Sequence, residues 1–209
     1  ATLSPWGVVA GGGLAGFGID YLWVSLGNIA DVAPGRWLEW NRELFPSSPE
    51  EFAGKLRELG FTLGLWCGAF WVCSSCTREV EELSEALLRN PDGTPLVVVK
   101  EWRWGAAGWL PREQRPVMYA LDPTHPLTHA LHRKIFGAYR AWGVRYYMID
   151  FLHAAAGNQC EFAYEHHHDP RLVAGPEAYH RGLRVIREAV GDDTHILTST
   201  GPIIQNTGF

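Results

Sequence analysis

Strand-like and helix-like segments alternate along most of this chain, and their order is the strongest constraint on its fold. Short apolar runs rich in aromatic and β-branched residues predict buried strands at residues 19–25, 61–66, 144–150 and 195–200. Apolar residues at helical spacing predict helices at residues 48–59, 77–88, 126–138 and 177–190. Repeated strand–helix units favour a parallel sheet that is covered by helices.

The first predicted helix carries signals at both ends. Ser48 and Glu51 have the spacing of a capping box, Pro49 stands at the first helical position, and Gly60 follows the last turn. We expect each helix to bury one apolar stripe. The inward residues predicted for the first three helices are Phe52, Leu56 and Leu59, then Val80, Leu83 and Leu87, then Leu127, Leu131, Ile135 and Ala138.

Composition and charge narrow the choice of partners. The chain has 209 residues, of which 46% are hydrophobic and 20% are charged, and we predict a single domain over residues 1–209. A net charge of -5 without a basic patch argues against a nucleic-acid partner. The longest apolar run, residues 61–73, is shorter than the roughly 20 residues that cross a bilayer, so no membrane partner is predicted. We predict no cofactor, and leave the oligomeric state and the compartment open, with the cytoplasm slightly favoured.

Asp150 is the leading candidate for chemistry because it ends the strand predicted at residues 144–150 and precedes a small-residue loop. In parallel α/β barrels, catalytic side chains lie at the C-terminal ends of the strands. The residues alone leave Asp150 as a nucleophile, a metal ligand or a helix cap. We assign Asp122 to the cap of the helix that begins near Pro126, and we expect His153 to line the same cleft as Asp150.

Metal and redox sites have weaker support. Three consecutive histidines at 166–168 precede Asp169, but adjacent residues rarely all point at one ion, so a polar loop is favoured. Cys73 and Cys76 form a C-x-x-C pair, but no second pair is placed to complete a zinc site. We therefore predict no metal.

The chain has ten tryptophans, and this number slightly favours a carbohydrate ligand. Three of them, Trp102, Trp104 and Trp109, lie in the segment 102–119, which is predicted to be a loop.

Four blocks of sequence share their order and spacing with a known enzyme family. They are GRWLEWNRELFPSSPEEFAGKLRELGFTLGLW at 35–66, YALDPTHP at 119–126, VRYYMIDFL at 144–152 and YHRGLRVIREAVGDDTHILTSTGP at 179–202. Together they resemble the melibiase domain of glycoside hydrolase family 36, the α-galactosidases and related enzymes. The resemblance implies an α/β fold of the (β/α)8 TIM-barrel type. A whole barrel takes about 250 residues, so we expect this α-galactosidase-like barrel to be incomplete and to lack its last βα units.

The resemblance also implies a reaction and a set of site residues. The family hydrolyses α-galactosides with retention, and Asp150 matches its nucleophile at the end of the fourth strand. Trp66 matches the tryptophan that walls the sugar site. Arg115 stands near the position of a substrate-contacting arginine, although its spacing to Asp122 differs slightly. The family acid/base follows the sixth strand, which the resemblance places beyond residue 209.

Three departures from the family pattern bear on the sugar. Ser25 and Leu26 stand where the family has a pair of aspartates, Met148 replaces a lysine, and Ser199 replaces a cysteine. Losing the acids and the lysine removes charge-assisted hydrogen bonds to a polar ligand, each of order 1.5–3 kcal/mol. We therefore predict a pocket that is not exclusive for galactose.

The predicted function is a retaining glycoside hydrolase that acts on α-galactoside-like sugars through Asp150. One alternative is a non-catalytic or degenerate carbohydrate-binding barrel, which Ser25, Leu26 and Met148 favour. Another is a metal-dependent barrel hydrolase that uses Asp150 and the histidine cluster.

Overall fold

A parallel sheet of four strands lies at the centre of the structure. The computed structural model describes residues 14–155, 167–172 and 176–199. The strands in these ranges are β1 (Tyr21–Val24), β2 (Thr62–Cys67), β3 (Trp71–Cys73), β4 (Val97–Val99), β5 (Met118–Ala120), β6 (Tyr146–Ile149) and β7 (His195–Thr198). The central sheet has the order β1-β2-β6-β7, and each neighbouring pair is parallel. This confirms the four predicted strands and the α/β fold class.

Four α-helices lie in the described part of the chain. They are α1 (Pro49–Glu58), α2 (Thr77–Glu82), α3 (Pro126–Ala141) and α4 (Pro176–Val190). The helices α3 and α4 pack against each other, and α1 packs against β2. Among the described helices, none combines the length and the apolar character that a membrane crossing requires.

The two faces of the parallel sheet differ in burial. Leu65 and Tyr147 are buried on the helix side, where the ring of Phe136 in α3 lies 5.7 Å from that of Tyr147. Large apolar residues on the opposite face remain exposed, at 43% for Tyr21, 40% for Trp23 and 38% for Leu197. In a closed barrel this face would be the interior. The described residues therefore form an open sheet, and a complete barrel is not shown.

Tyr146 lies across the neighbouring strand on this open face. Its ring is 5.5 Å from that of Tyr21 and is stacked on His195 at 5.2 Å. A Cβ atom on Gly64 would come within 2.6 Å of Tyr146 Cδ1. Glycine is therefore required at position 64 by the close approach of the tyrosine ring.

The helix starts confirm one sequence prediction and correct another. At α1, Ser48 Oγ accepts a hydrogen bond from Glu51 N (3.1 Å) and Glu51 Oε2 accepts one from Ser48 N (3.0 Å), so the capping box is present. At α3, the cap is His125, whose Nδ1 accepts from Leu127 N at 3.1 Å. The assignment of Asp122 as the cap is wrong, because its carboxylate is occupied by hydrogen bonds farther from the helix.

A second, antiparallel sheet was not predicted. It consists of three strands in the order β3-β5-β4, and β5 begins inside the segment 102–119 that was predicted to be a loop. Strands of three residues are too short to show a period of two in the sequence.

The helix predicted at 77–88 is shorter than expected, because α2 ends at Glu82 and a 3-10 turn follows at Ser84–Ala86.

The buried face of α3 differs from the predicted apolar stripe. Leu127 is 36% exposed, and Leu59, which directly follows the last residue of α1, is 38% exposed. Polar residues share the buried face of α3 with Ile135 and Phe136, and backbone carbonyls accept hydrogen bonds from two of them. His132 Nε2 hydrogen-bonds to Ala69 O at 2.9 Å, and the Tyr139 hydroxyl donates to Trp37 O at 2.8 Å.

Candidate active site

The C-terminal edge of the parallel sheet gathers most of the predicted site residues. Ser25 follows β1, Asp150 follows β6 and Ser199 follows β7. Trp66 is the second-last residue of β2. Trp66 pairs in register with Met148, and Met148 pairs with Leu197. Because these strands are parallel and adjacent, Ser25, Trp66, Met148, Asp150 and Ser199 lie at one edge. The exposed Ser25 and the half-buried Met148 present neither a carboxylate nor an amine there.

Hydrogen bonds hold both carboxylate oxygens of Asp150. The Trp66 Nε1–H donates to Asp150 Oδ2 at 3.0 Å, and the backbone N–H of Phe151 donates to Asp150 Oδ1 at 2.8 Å. The backbone of Asp150 is fixed as well, since its N–H donates to Cys67 O at 3.0 Å. The half-buried carboxylate therefore has a defined orientation at the end of a central strand.

Phe151 has a backbone conformation that is uncommon for a residue with a side chain. Its φ angle is +57°, in the left-handed region that non-glycine residues rarely adopt. Its ring is stacked on Trp71, with centroids 3.9 Å apart and planes 17° apart. The ring stack on Trp71 and the hydrogen bond from the Phe151 N–H to Asp150 both constrain this backbone conformation. Residues with uncommon φ angles of this kind concentrate at functional sites. Neither Phe151 nor Trp71 was predicted as a site residue, because a positive φ and a contact between distant residues leave no local sequence pattern.

Trp66 is covered by other aromatic residues. Only 2% of it is exposed, and its ring lies 5.9 Å from Trp37 and 6.2 Å from Phe151. Gly68 completes the cover, because a Cβ atom there would lie 3.2 Å from Trp66 Cη2. The resemblance gives Trp66 a sugar-facing role, and the visible contact of its polar edge is with Asp150.

Ser199 lies beside Asp150 through backbone pairing. Its N–H donates to Ile149 O at 2.8 Å, which continues the pairing of β6 with β7. Its carbonyl oxygen accepts a long bond of 3.5 Å from Leu152 N. His153 is also close to this region, with its ring 6.2 Å from Phe151 and 6.3 Å from Trp71.

Arg115 lies in a neighbouring cleft, where it is bound to other residues. Its Nη1 is 3.4 Å from Glu101 Oε2, and its Nε donates to Leu110 O at 3.2 Å. Glu101 also binds Arg112, and this contact is the first cause of the lowered pKa of the Glu101 carboxyl. The cleft has a volume of about 490 Å³, and its lining includes Asp31, Arg36, Ser74, Ser75, Trp102 and Arg115. Trp102 connects it to Phe151 through Trp71, since the Trp71 and Trp102 rings are 6.3 Å apart.

Asp122 organises the loop that precedes α3. Its Oδ1 accepts from Thr124 N (2.7 Å) and Thr124 Oγ1 (2.8 Å), and its Oδ2 accepts from His168 N at 2.6 Å. The rings of His125 and His168 are 4.5 Å apart. The buried carboxylate thus anchors the end of the histidine run, which is a structural role.

The histidine cluster does not assemble a metal site in the part of the chain that the structure describes. His166 lies outside the described residues, and burial lowers the pKa of His167. Asp169 is bound by Arg171 (2.9 Å) and Arg181 (2.7 Å). No group of three or more histidine, cysteine, aspartate or glutamate side chains within the described ranges is placed to hold a metal ion.

Comparison with known proteins supplies a fold relationship. No protein-family model matches this chain. The α-galactosidase TtGalA from Thermus thermophilus, in complex with stachyose, is similar with a TM-score of 0.70 and 24% identity, over 95% of this chain and 37% of that one. The GH36 α-galactosidase AgaB from Geobacillus stearothermophilus has a TM-score of 0.58 and 20% identity, over 93% and 25%. The α-galactosidase from Lactobacillus brevis has a TM-score of 0.58 and 16% identity, over 93% and 24%.

These comparisons agree with the sequence resemblance at the level of fold. The chain spans between 24% and 37% of the length of these solved structures. The partial sheet, its order and its parallel direction therefore correspond to one portion of a larger fold. This chain has the α/β fold of the matching portion of GH36 α-galactosidases.

Proposed function

We propose that this chain carries the nucleophile of a retaining glycoside hydrolase that acts on α-galactoside-like sugars. The observation that carries the proposal is Asp150, which follows a central parallel strand and has both oxygens oriented by N–H donors. Strand ends of this kind are where barrel enzymes place catalytic groups. The fold of α-galactosidases, one of them in complex with stachyose, supports the substrate class.

The proposed chemistry uses Asp150 as an ionised carboxylate. It attacks the anomeric carbon and forms a glycosyl–enzyme ester, which water then hydrolyses. Each carboxylate oxygen can accept more than one hydrogen bond, so the bonds from Trp66 and Phe151 do not by themselves prevent attack. A second carboxylic acid about 5–5.5 Å away protonates the leaving oxygen in such enzymes. We place that acid outside residues 1–209, on the units that complete the barrel.

The proposed specificity follows from side chains at the same edge of the sheet. Ser25, Leu26 and Met148 offer no charged partner for sugar hydroxyls, and Ser199 offers at most a hydroxyl. A site without charged partners discriminates less among hydroxyl configurations, because each charge-assisted bond is worth about 1.5–3 kcal/mol. We therefore propose that the enzyme accepts α-glycosides other than α-galactosides.

The alternative proposal is a non-catalytic carbohydrate-binding barrel. The near-complete burial of Trp66 favours it, because a sugar cannot stack on a ring that other aromatic residues cover. The loss of charged partners at positions 25, 26 and 148 also favours it.

A panel of aryl α- and β-glycosides tests the two proposals on the intact protein. Turnover of at least one α-glycoside that is lost in Asp150→Asn supports the hydrolase, since an amide is a far weaker nucleophile. Asp192→Asn, in the exposed turn after α4, is the matched control and should keep activity. Saturable sugar binding that Asp150→Asn leaves intact, with no turnover by the unsubstituted protein, supports the binding barrel. An exclusive preference for α-galactoside contradicts the proposed specificity.

A further inference from the structure

Cys73 and Cys76 lie at the two ends of one tight turn. Cys73 ends β3, and its carbonyl oxygen accepts a hydrogen bond of 2.9 Å from the backbone N–H of Cys76. A turn closed by a bond between its first and fourth residues keeps the outer Cα atoms within about 7 Å. Disulfide-bonded cysteines have Cα atoms about 4.4–6.8 Å apart. The turn therefore holds the two cysteines at a spacing that a disulfide can bridge.

The two thiols interact and differ in acidity. A hydrogen bond with the Cys76 thiol is the first cause that lowers the pKa of Cys73 to about 7, against the opposing effect of burial. Ser75 Oγ lies 3.1 Å from Cys73 Sγ, and the Arg36 charge adds a smaller contribution. The pKa of Cys76 is raised, mainly by the same hydrogen bond with Cys73 and, to a smaller extent, by burial. One thiol is thus suited to attack as a thiolate, and the other stays protonated as a resolving partner.

The environment of the pair restricts which oxidant can reach it. Cys73 and Cys76 are 1% and 0% exposed, so a protein disulfide has no room to approach either sulfur. The two residues between them, Ser74 and Ser75, line the open cleft of about 490 Å³ that also contains Arg36. A small neutral oxidant can enter this cleft and meet the sulfur of Cys73 after a local movement of the turn.

We propose that Cys73 and Cys76 form an oxidisable dithiol that closes to a disulfide on reaction with a peroxide. In the first step the Cys73 thiolate attacks one peroxide oxygen, the O–O bond breaks, and hydroxide leaves, which gives a sulfenic acid at Cys73. In the second step the Cys76 sulfur attacks Cys73 Sγ and the S–S bond forms. The hydroxyl of the sulfenic acid leaves as water with the proton of Cys76. The two thiols lose two electrons in total, and one peroxide is reduced.

Cys67 provides an internal comparison in the same region of sequence. It is 1% exposed, like Cys73, but its pKa is shifted in the opposite direction. Burial is the largest influence on the pKa of Cys67 and raises it. It lies in β2, and a thiol that stays protonated is a poor nucleophile toward peroxide. Similar burial combined with opposite acidity makes Cys67 the matched control for reactivity.

Graded hydrogen peroxide, applied to the purified native protein, tests the proposal. The samples are quenched, unfolded, alkylated and digested with trypsin. Cys67, Cys73 and Cys76 all lie between Arg57 and Arg78, so one peptide reports on them. We expect Cys73 and Cys76 to lose alkylation together, while Cys67 stays alkylated. The peptide mass should then be two hydrogen atoms below that of the same peptide with Cys67 alkylated and two free thiols. Reduction before alkylation should restore both sites.

The Cys76→Ser variant separates the two steps. It should stop at a sulfenic acid on Cys73, which a dimedone-type probe captures, and then pass to the sulfinic acid. The first measurement retains both cysteines, so the proposal does not depend on the folding of this variant. It is overturned if Cys73 in the unsubstituted protein goes to sulfinic acid without a disulfide. It is equally overturned if both thiols stay alkylable once peroxide has oxidised Cys67, or if the disulfide joins either cysteine to Cys160, which lies in a different tryptic peptide.

Discussion

The indole N–H of Trp66 donates a 3.0 Å hydrogen bond to the carboxylate of Asp150, although 84 residues separate them in the chain. The bond exists because β2 and β6 are adjacent and parallel, with Trp66 opposite Met148. It links the residue that resembles a family sugar-site tryptophan to the residue that resembles the family nucleophile. It also makes Trp66 a candidate for positioning Asp150, and not only for contacting a sugar.

Removing this donor while retaining an aromatic ring should lower turnover. We expect Trp66→Phe to reduce kcat by about 10- to 100-fold, because a hydrogen bond to a charged group is worth about 1.5–3 kcal/mol. Steady-state kinetics with an aryl α-glycoside on the intact protein measures the change. Trp109→Phe is the control, since Trp109 is 92% exposed and should tolerate the change. An unchanged kcat in Trp66→Phe would mean that the hydrogen bond does not position the carboxylate for reaction.

Replacing Asp150 by glycine should abolish turnover of a normal glycoside and leave the fold stable. The carboxylate lies at the end of a strand and is only half-buried, so it contributes little packing. Azide should enter the vacated space and attack in its place, which gives a glycosyl azide of inverted configuration because one displacement replaces two. Product analysis by NMR checks the configuration. Near-normal activity of Asp150→Gly without azide would show that another group is the nucleophile.

His132 should make the stability of the protein depend on pH. Burial is the first cause that lowers its pKa to about 4 from the ordinary value of 6.5. Between these values the unfolded chain binds a proton that the folded chain does not, so the free energy of unfolding falls as the pH falls. A shift of this size corresponds to about 3 kcal/mol, lost progressively from pH 6.5 down to about 4. Urea unfolding at a series of pH values measures the loss.

The His132→Gln variant is the control for this pH dependence. Glutamine can still donate a hydrogen bond to Ala69 O, but it does not titrate. We expect its free energy of unfolding to fall less steeply than that of the unsubstituted protein between pH 6.5 and 4. Equal slopes for the two proteins would assign the acid sensitivity to other groups.

Two glycine-to-alanine substitutions should have effects of opposite sign. Gly64→Ala would place its Cβ 2.6 Å from Tyr146 Cδ1, and we expect overpacking to destabilise the protein by about 1–3 kcal/mol. Gly54 lies in α1 with nothing within 4 Å of the corresponding Cβ position. Gly54→Ala should therefore stabilise the protein by about 0.5–1 kcal/mol through the higher helix propensity of alanine. Thermal unfolding compares the two, and a stable Gly64→Ala protein would mean that Tyr146 moves away at little cost.

Local chemistry in the sequence determined most of the central elements. The four parallel strands and the start of α1 could be predicted because burial on the sheet and the Ser48–Glu51 capping box leave local patterns. Asp150 could be singled out for the same reason, since a carboxylate directly after a buried strand interrupts its apolar pattern. The resemblance to α-galactosidases also came from the sequence, and the solved structures support it at the level of fold.

Tertiary structure decided which partner each of these residues meets. The Trp66–Asp150 bond, the positive φ of Phe151 and its stack on Trp71 depend on strand neighbours distant in the chain. The buried polar face of α3 depends on the carbonyl of Ala69, which no pattern within the helix reports. The antiparallel sheet was missed because strands of three residues are stabilised by pairing with each other and show no period of their own. Sequence patterns record which residues are buried, whereas long-range pairing selects their contacts, and the orientation of the Asp150 carboxylate is one of those contacts.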